Sequence, residues 1–423
     1  MPLPPPHKIV IIGAGFGGLR TALELLKRRA RLGNTFVTLI DAHQEHVYTP
    51  LLYEVAMGCL ESDEASAICA LRSSASLPYA ENPYLHRKDD RLRFVHGQVE
   101  GIDWEQRIVK IPSGESVAFN DIVLAVGGEI ATFGIPGIRE YAVCMKTLEN
   151  AFAIRRRIAS VLKDVREGRR HCLDVVVVGG GPNGCEGAGE LARYLSRLAR
   201  QGDIPSGCFS VTIVEAGAEI LQMFSPRMRA MARRRLAELG IAVRTNVRVR
   251  EVKSNSIVLP DGELLADVIV WAAGMKPRDA VKAWGFPTDE RGFVLADATF
   301  AVQGKEHAWA LGDCAFLRHP ASGIRIPALA QAASKQASTL AENIARTLER
   351  KPTVNYIPPA RWNTVVPLGG PWAVADLGFV HITGLIGYSL RKAADLLYFL
   401  SILPLRRALP FWWHGLRVFL QND

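Results

Sequence analysis

The chain has 423 residues, more than one hydrophobic core usually serves, so we expect two or three domains. Hydrophobic residues make up 48% of it and charged residues 22%, which excludes a disordered or fibrous protein. Lysine and arginine outnumber aspartate and glutamate by 51 to 42, a formal net charge of +9. This excess permits an anionic partner, such as nucleic acid, a phosphorylated cofactor or a lipid surface.

The chain holds seven cysteines, at positions 59, 69, 144, 172, 185, 208 and 314. They form no CxxC or CxxxxC pair and no Cys/His cluster with the spacing of metal ligands, so we expect no metal site. An odd and scattered set of cysteines is typical of a reducing compartment.

Neither end of the chain predicts export or a membrane span. Residues 1–6 are rich in proline rather than basic, and the apolar run after them is typical of a strand, so we expect no cleavable signal peptide. No window reaches the ~18 uncharged apolar residues that a spanning helix needs; the best candidate is 396–405. We therefore expect the chain on the cytoplasmic side of a membrane.

The first motif is an apolar strand that leads into a glycine-rich turn. Residues 8–18 read KIVIIGAGFGG and contain GxGxxG at Gly13, Gly15 and Gly18, after which apolar residues follow at helical spacing. A second apolar strand ends at Asp41, about where an acidic residue meets the ribose of a dinucleotide. The segment predicts a complete strand, turn, helix and strand unit.

The same pattern recurs near the middle of the chain. Residues 174–184 form an apolar strand followed by Gly179, Gly181 and Gly184, and the next apolar strand ends at Glu215. A lone GxGxxG in a chain with 37 glycines carries little weight. Two complete units in order favour two dinucleotide sites over glycine turns that only pack a helix on a sheet.

The glycines and the acids have separate physical roles. In each unit the first glycine allows a tight turn, the second lacks the Cβ that would block a pyrophosphate, and the third lets helix and strand approach closely. The pyrophosphate then lies at a helix N-terminus, where free N–H groups favour negative charge. An acid at the strand end accepts from a ribose 2′-OH and repels a 2′-phosphate. No Arg or Lys follows Glu215 until Arg227, so the second site is predicted to prefer NADH to NADPH.

Three further segments carry weaker signals. Two of them are strands that end in Ala/Gly loops, one with Ala125 and Gly127 and the other with Ala273 and Gly274. This similarity suggests that both dinucleotide units end with the same kind of strand and loop. The third is a short apolar run that ends in Gly312-Asp313. Taken alone, this Gly-Asp pair is equally well an ordinary turn.

These motifs, in this order, resemble the two-dinucleotide flavoprotein superfamily. The resemblance implies that the first unit holds FAD, that an inserted second unit holds NADH, and that Asp313 returns to the flavin. The implied fold class is α/β, with two Rossmann-like dinucleotide-binding domains, for FAD and NADH, plus a C-terminal membrane-associating region. The implied boundaries are 1–147 and 285–350 for the two parts of the FAD domain, 148–284 for the NADH domain, and 351–423 for the C-terminal region.

Within that superfamily the chain resembles the type II NADH:quinone oxidoreductases, which do not pump protons. Four segments carry the resemblance: residues 48–56, which contain Pro-Leu-Leu-Tyr; residues 133–137 together with Lys146-Thr147; residues 182–190; and residues 327–336. The resemblance implies hydride transfer from NADH to FAD and onward transfer of two electrons to a membrane quinone.

The resemblance also implies the site residues. Those for FAD are Gly13, Gly15, Phe16, Gly17, Gly18, Asp41, Ala125, Gly127, Asp313, Ala330 and Gln331. Those for NADH are Gly179, Gly181, Pro182, Asn183, Gly184, Glu215, Ala273 and Gly274. The catalytic set is Glu186, Gln331, Lys335 and Gln336, of which Glu186 and a water held by Gln331 are the candidate proton relays.

Two departures from the family pattern fall at the quinone end. Lys335 stands where the family has a glutamine, and no basic residue follows Leu368-Gly-Gly-Pro371, where many members carry one. We expect a helix from about Ala328 that directs its positive end at the flavin, with Lys335 adding charge if it points the same way.

The C-terminal region is basic and rich in aromatic residues. From residue 351 onward it has seven lysines and arginines against three aspartates, or +4. Basic residues among aliphatic and aromatic ones, such as Trp412 and Trp413, favour a helix that lies in a lipid interface. We therefore expect a peripheral membrane protein on the cytoplasmic face of the inner membrane. The alternative is a helix buried in a homodimer.

Other partners and activities fit the sequence less well. The arginine runs at 155–157, 169–170 and 233–235 lie on ordinary helical segments, so we expect no nucleic acid. A sulfide:quinone oxidoreductase needs a cysteine late in the chain, and none follows Cys314; a disulfide reductase needs CxxxxC, and Cys59 and Cys69 have the wrong spacing. A redox-sensing flavoprotein that binds NADH with little turnover remains open.

Overall fold

The computed structural model describes residues 5–57, 64–85, 91–112, 114, 116–320 and 323–421. Four of the residues in the Pro-rich start, 1–4, lie outside this range, as do Cys59 and Asp423.

The first of two large sheets is built around the first glycine motif. Its five strands are parallel, and their order across the sheet is Ala308–Ala310, Asp121–Leu124, His7–Ile12, Thr35–Asp41 and Leu92–His96. The central strand is an unbroken apolar run whose residues Ile9 and Ile11 are fully buried, as expected for a strand covered on both faces. The helix Phe16–Lys27 packs against this sheet, and the helix Ala330–Leu348 packs against Phe16–Lys27.

The second large sheet repeats this plan. Its five parallel strands follow the order Val143–Cys144, Val268–Trp271, Leu173–Val178, Phe209–Val214 and Ala242–Arg244. Its helices are Leu148–Arg166, Pro182–Gln201 and Pro226–Glu238. The first sheet is completed by a strand at Ala308–Ala310, after the whole second sheet. The predicted α/β class is therefore confirmed, with one Rossmann-like unit inserted into another.

Smaller strands border the two units. Gly128–Ile130 pairs antiparallel with Met275–Pro277, so the two segments that connect the units lie side by side. The other small sheets are Gly101–Asp103 with Ile108–Lys110 and Ser116–Ala118; Glu251–Val252 with Ser256–Leu259 and Gly262–Leu265; Glu45–Val47 with Ser76–Pro78; and Val294–Leu295 with Ala315–Phe316. The short helices are Arg29–Leu32, Leu52–Met57, Glu64–Ala75, Ile138–Tyr141 and Ala280–Ala283.

The C-terminal region begins with a three-stranded antiparallel sheet, Thr364–Pro367, Ala373–Asp376 and His381–Thr383. Two helices follow, Gly384–Ile402 and Leu405–Gln421, and the second of them contains Pro410. Both pack back onto the first unit. Within the described part of the chain, no helix combines the length and the apolar character needed to cross a bilayer.

Candidate functional site

The first glycine loop has a geometry in which each glycine is used differently. Gly13 has φ +96°, and a Cβ added there would lie 2.5 Å from the carbonyl oxygen of Ala125. A Cβ on Gly18 would lie 1.7 Å from the oxygen of Gly13. Gly15 differs, because no atom lies within 4 Å of a Cβ added to it. The backbone itself thus requires the first and third glycines, and the second faces open space of the kind a pyrophosphate needs.

The second glycine loop has the same arrangement. Gly179 has φ +114°, and a Cβ added there would lie 2.7 Å from the Ala272 carbonyl. A Cβ on Gly184 would lie 2.0 Å from the oxygen of Gly179, whereas one on Gly181 would meet nothing within 4 Å. The helix then begins at Pro182, whose missing N–H costs no hydrogen bond at a helix start.

The two predicted acids hold these loops in the same way. Asp41 Oδ2 accepts from the N–H of Ala14 at 2.6 Å, and Glu215 Oε2 accepts from the N–H of Gly180 at 2.6 Å. In both loops the donor is the residue after the first glycine. A carboxylate has about four acceptor positions. Each acid therefore keeps acceptor capacity for a ribose hydroxyl while it fixes the loop.

The Gly-Asp segment lies beside the first glycine loop. Gly312 donates its N–H to Gln336 Oε1 at 2.8 Å, and a Cβ added to Gly17 would lie 3.3 Å from the side chain of Leu311. Burial raises the pKa of the Asp313 carboxyl, while Lys146 and Arg325 oppose the rise. The structure thus brings together the glycine loop, the Gly-Asp turn and the helix Ala330–Leu348. This proximity could not be predicted from the local sequence.

The three residues predicted at the quinone end have different surroundings. Gln331 donates from Nε2 to the carbonyl oxygen of Asn363 at 3.0 Å. Lys335 is exposed, and its ammonium lies 5.4 Å from the centre of the Trp362 ring. Gln336 is buried and holds the turn at Gly312. The helix begins at Ala330, close to the expected start near Ala328. Lys335 lies in its second turn, and its side chain faces Trp362 rather than the helix N-terminus.

Glu186 is buried on the second glycine helix, with 5% of its surface exposed. Burial raises the pKa of its carboxyl to about 7; Arg391 opposes this rise, and Glu54 and Asp395 add to it. A carboxyl with such a pKa exchanges its proton near neutral pH, which is the property that a proton relay needs.

A set of buried charges surrounds Glu186 and was not predicted from the sequence. Lys392 Nζ lies 3.0 Å from Glu54 Oε1, and Arg391 Nε lies 3.0 Å from Asp395 Oδ1. Tyr48 donates to Asp395 Oδ1 at 2.7 Å. The Arg391–Asp395 pair lies within the C-terminal helix Gly384–Ile402, whereas the contacts of Lys392 with Glu54 and of Tyr48 with Asp395 join that helix to residues 48–56.

This burial changes the expected role of two basic residues. Arg391 and Lys392 were counted toward a lipid-facing charge, but the structure turns both inward. The available signal was Asp395, an acid four residues after Arg391 in an otherwise apolar helix, because that spacing places both groups on one helix face.

The C-terminal helix also contacts the first glycine loop. Phe16 of that loop packs against Tyr398, with ring centres 4.9 Å apart. The Tyr398 hydroxyl lies 2.6 Å from His46 Nε2, and His46 Nδ1 lies 3.3 Å from the carbonyl oxygen of Ala14. Burial lowers the pKa of His46 to about 4, so the ring is neutral at pH 7. Since the carbonyl can only accept, Nδ1 carries the proton and Tyr398 donates to Nε2.

A family model described as pyridine nucleotide-disulphide oxidoreductase matches residues 7–337. The chain belongs to the pyridine nucleotide-disulphide oxidoreductase family. A member of similar length, the demethylphylloquinone reductase NdbB of Synechocystis, is 30% identical over 421 residues, which cover 97% of this chain and 94% of the relative. The type II NADH:quinone oxidoreductase of Haemophilus influenzae is 26% identical and covers 82% of each chain. The predicted resemblance is confirmed, and the chain groups with the type II members of the family.

Solved structures share this fold across the whole chain. The structure of NDH2 from Plasmodium falciparum in complex with NADH has a TM-score of 0.82 at 19% identity and covers 98% of each chain. The sulfide:quinone oxidoreductase of Aquifex aeolicus has a TM-score of 0.74 at 18% identity and covers 93% of this chain and 90% of that one. At these identities the likeness shows the fold alone, which is common to both activities.

Proposed function

We propose that this chain is an NADH:quinone oxidoreductase that oxidises NADH and reduces a membrane quinone by two electrons, with FAD as its cofactor and without proton pumping. One observation carries the proposal: two glycine loops of matching geometry, open at Gly15 and at Gly181, share a chain with the Gly-Asp turn of a flavoprotein. The relatives named above, which cover most of the chain, support a quinone as acceptor.

The residues of the first unit fit FAD. The open face at Gly15 accommodates a pyrophosphate at the N-terminus of the helix Phe16–Lys27, and Asp41 retains acceptors for a ribose. The carboxyl of Asp313, on a partly buried residue, is a polar group that a ribityl hydroxyl can satisfy. When bound, FAD supplies the two-electron redox chemistry that side chains lack. The chain supplies its position, with Ala125, Gly127, Ala330 and Gln331 at the border of the site.

The second unit fits NADH. Gly181 leaves room for the pyrophosphate beside Pro182 and Asn183, and Glu215 accepts from the ribose 2′-OH. The same carboxylate repels a 2′-phosphate, so NADH is preferred to NADPH. Ala273 and Gly274 follow the strand Val268–Trp271 and close the site opposite the glycine loop.

Quinone reduction consumes two protons, and Glu186 is the proposed relay because its pKa of about 7 lets it hold and release a proton near neutral pH. We propose that Gln331 and Lys335 face the quinone end, since both lie on the accessible side of their helix near Asn363 and Trp362. Gln336 has an indirect role, because its side chain fixes the turn that carries Asp313.

We further propose that the C-terminal helices dock on a lipid surface at the cytoplasmic face of the inner membrane. Large apolar side chains on this region are exposed to solvent: Phe379, Leu385, Ile386, Leu397, Leu405 and Trp413. Arg406, Arg407 and Arg417 are exposed among them and suit anionic headgroups. A second copy of the chain, as in a homodimer, is the alternative occupant of this face.

The predicted division into domains fits this function. Residues 1–147 and 285–350 would form the FAD domain, 148–284 the NADH domain and 351–423 the membrane-docking region. The strand Val143–Cys144, just before residue 148, already pairs in the sheet of the second unit. The helix Leu148–Arg166 begins where the second domain is proposed to begin, with Thr147 capping it.

A direct test uses the purified full chain. NADH should reduce the bound flavin, seen as bleaching of its visible absorbance, and a soluble quinone should restore it, whereas sulfide should leave it unchanged. Reduction by sulfide would favour the sulfide:quinone oxidoreductase alternative. Flavin that NADH reduces but quinone does not reoxidise would favour a redox sensor and refute the proposal.

Flotation with anionic vesicles would test whether the chain binds a lipid surface. Sedimentation without vesicles would test whether it forms a homodimer.

A further inference from the structure

Two cysteines that are 36 residues apart in sequence touch in the fold. Cys172 precedes the strand Leu173–Val178, and Cys208 precedes its parallel neighbour Phe209–Val214. The register pairs Leu173 with Phe209, so the two preceding cysteines lie side by side. Their Sγ atoms are 3.1 Å apart. Adjacent strands are about 4.8 Å apart, within the Cα separation of about 4.4–6.8 Å that a disulfide spans.

We propose that Cys172 and Cys208 form a reversible intramolecular disulfide that clamps the NADH unit under oxidising conditions. Both side chains are partly exposed and so accessible to a small oxidant. Cys185 and Cys314, by contrast, are buried in the core, where burial raises the pKa of each thiol. Disulfides in a reducing compartment are typically transient, which fits a pair that is free in the resting protein.

The geometry also orders the chemistry. Cys172 donates its S–H to the sulfur of Cys208, and Cys208 donates its own S–H to the carbonyl oxygen of His171. The first hydrogen bond raises the pKa of Cys172. When Cys208 loses its proton, its thiolate still accepts this hydrogen bond from Cys172, so attack on an oxidant begins at Cys208.

With a peroxide as oxidant the reaction balances in two steps. The Cys208 thiolate attacks one oxygen of hydrogen peroxide; an S–O bond forms, the O–O bond breaks, and the leaving hydroxide takes up a proton as water. The sulfur of Cys172 then attacks the resulting sulfenic acid; an S–S bond forms, the S–O bond breaks, and the departing hydroxide leaves as water with the Cys172 proton. The two thiols are oxidised by two electrons, and the peroxide is reduced to two waters.

The position of the pair predicts what the bond would do. The cysteines lie at the N-terminal ends of the two strands, whereas Gly179 and Glu215 follow their C-terminal ends, about 20 Å away. A bond at this edge closes the loop that contains the helix Pro182–Gln201 and restricts its unfolded state. The bond should thus stabilise the NADH unit without changing contacts to NADH.

The chemical test maps thiols in the full chain with its flavin. The reduced protein is treated with hydrogen peroxide, the remaining thiols are blocked with N-ethylmaleimide, and the peptides are analysed by mass spectrometry. We expect a linked peptide that joins Cys172 to Cys208, while the exposed Cys69 stays labelled. In Cys172→Ser, dimedone should trap a sulfenic acid on Cys208. Labelling of both thiols after peroxide treatment, or a link between two chains, would overturn the proposal.

The clamp itself is tested by thermal unfolding. Oxidation should raise the Tm of the NADH unit by several degrees, dithiothreitol should reverse the rise, and Cys208→Ser should show no rise. The KM for NADH should change by less than about twofold, because the pair lies far from the nucleotide. An oxidised protein with the linked peptide and an unchanged Tm would show that the bond does not act as a clamp.

Discussion

Lys392 places its ammonium 3.0 Å from Glu54 Oε1, although the two residues lie at opposite ends of the chain. Tyr53 donates to the same carboxylate oxygen at 2.7 Å. Glu54 Oε2 is buried and has no hydrogen-bond partner among the described residues. The ion pair is therefore the main compensation for a buried carboxylate, and it fastens the C-terminal helix Gly384–Ile402 to the helix Leu52–Met57.

Replacing Lys392 by methionine should destabilise the fold strongly. The substitution leaves a buried carboxylate without its cation, a change that typically costs about 3–5 kcal/mol. Chemical denaturation of the full chain would measure it. Adding Glu54→Gln to Lys392→Met should recover much of the loss. The control Arg407→Met, at an exposed position of the next helix, should change the free energy of unfolding by less than about 0.5 kcal/mol. Equal losses in both single variants would contradict the assigned role.

The raised pKa of Glu186 predicts a pH dependence of stability. Its carboxyl is protonated in the folded state up to about pH 7 but ionises near its ordinary value of about 4.3 once unfolded. The folded state therefore binds more protons in this range, and stability is lost as pH rises from about 4.5 through 7. Glu186→Gln should remove up to roughly 3 kcal/mol of this loss, so its advantage over the wild type should grow with pH. Denaturation at pH 5 and at pH 8 gives the comparison.

The same substitution should affect turnover with quinone. If Glu186 relays protons, Glu186→Gln should lower the rate of quinone reduction, and the inflection near pH 7 in the wild-type profile should disappear. Reduction of the flavin by NADH in a single turnover should be nearly unchanged. A variant profile that keeps the inflection would assign it to another group.

Removing the Tyr398 hydroxyl should loosen the first glycine loop. Tyr398→Phe deletes the hydrogen bond to His46, which in turn contacts Ala14. We expect a loss of about 1 kcal/mol of stability and faster release of flavin on mild heating, measured by flavin fluorescence. Tyr356→Phe is a matched control, because the Tyr356 hydroxyl is buried and has no hydrogen-bond partner in the described part of the chain, so its removal should cost nothing. Identical flavin release from both variants would refute the link.

Two alanine substitutions should show which glycine loop binds FAD and which binds NADH. Gly15→Ala and Gly181→Ala both add a Cβ into open space, so each should fold with a Tm close to that of the wild type. Gly15→Ala should bind FAD at least about tenfold more weakly, whereas Gly181→Ala should keep FAD and raise the KM for NADH by a similar factor. Gly18→Ala should instead unfold the loop, because its Cβ would meet the oxygen of Gly13. Crossed effects, with Gly181→Ala losing FAD, would reverse the assignment of the two units.

The sequence by itself determined the two nucleotide units. Each rests on short-range rules: an apolar run long enough for a buried strand, a glycine where φ is positive, and an acid at the end of the next strand. The structure reproduces the strands, the positive φ of Gly13 and Gly179, and the acids at the strand ends; the hydrogen bonds that Asp41 and Glu215 accept from the loops were not predicted. The apolar runs and the helix starts are local features, because they depend on residues close along the chain. The atoms that a Cβ on Gly13 or Gly179 would meet, at Ala125 and Ala272, are distant in sequence.

Only the tertiary structure decided which distant groups meet. It turned Lys392 inward to Glu54, turned Lys335 to Trp362, and set Cys172 beside Cys208. Sequence alone treated the first as a lipid-facing charge, the second as a possible aid to the flavin and the third as an isolated thiol. These outcomes depend on how helices pack and on how strands align across the sheet, and no spacing along the chain encodes the partner that packing brings within reach.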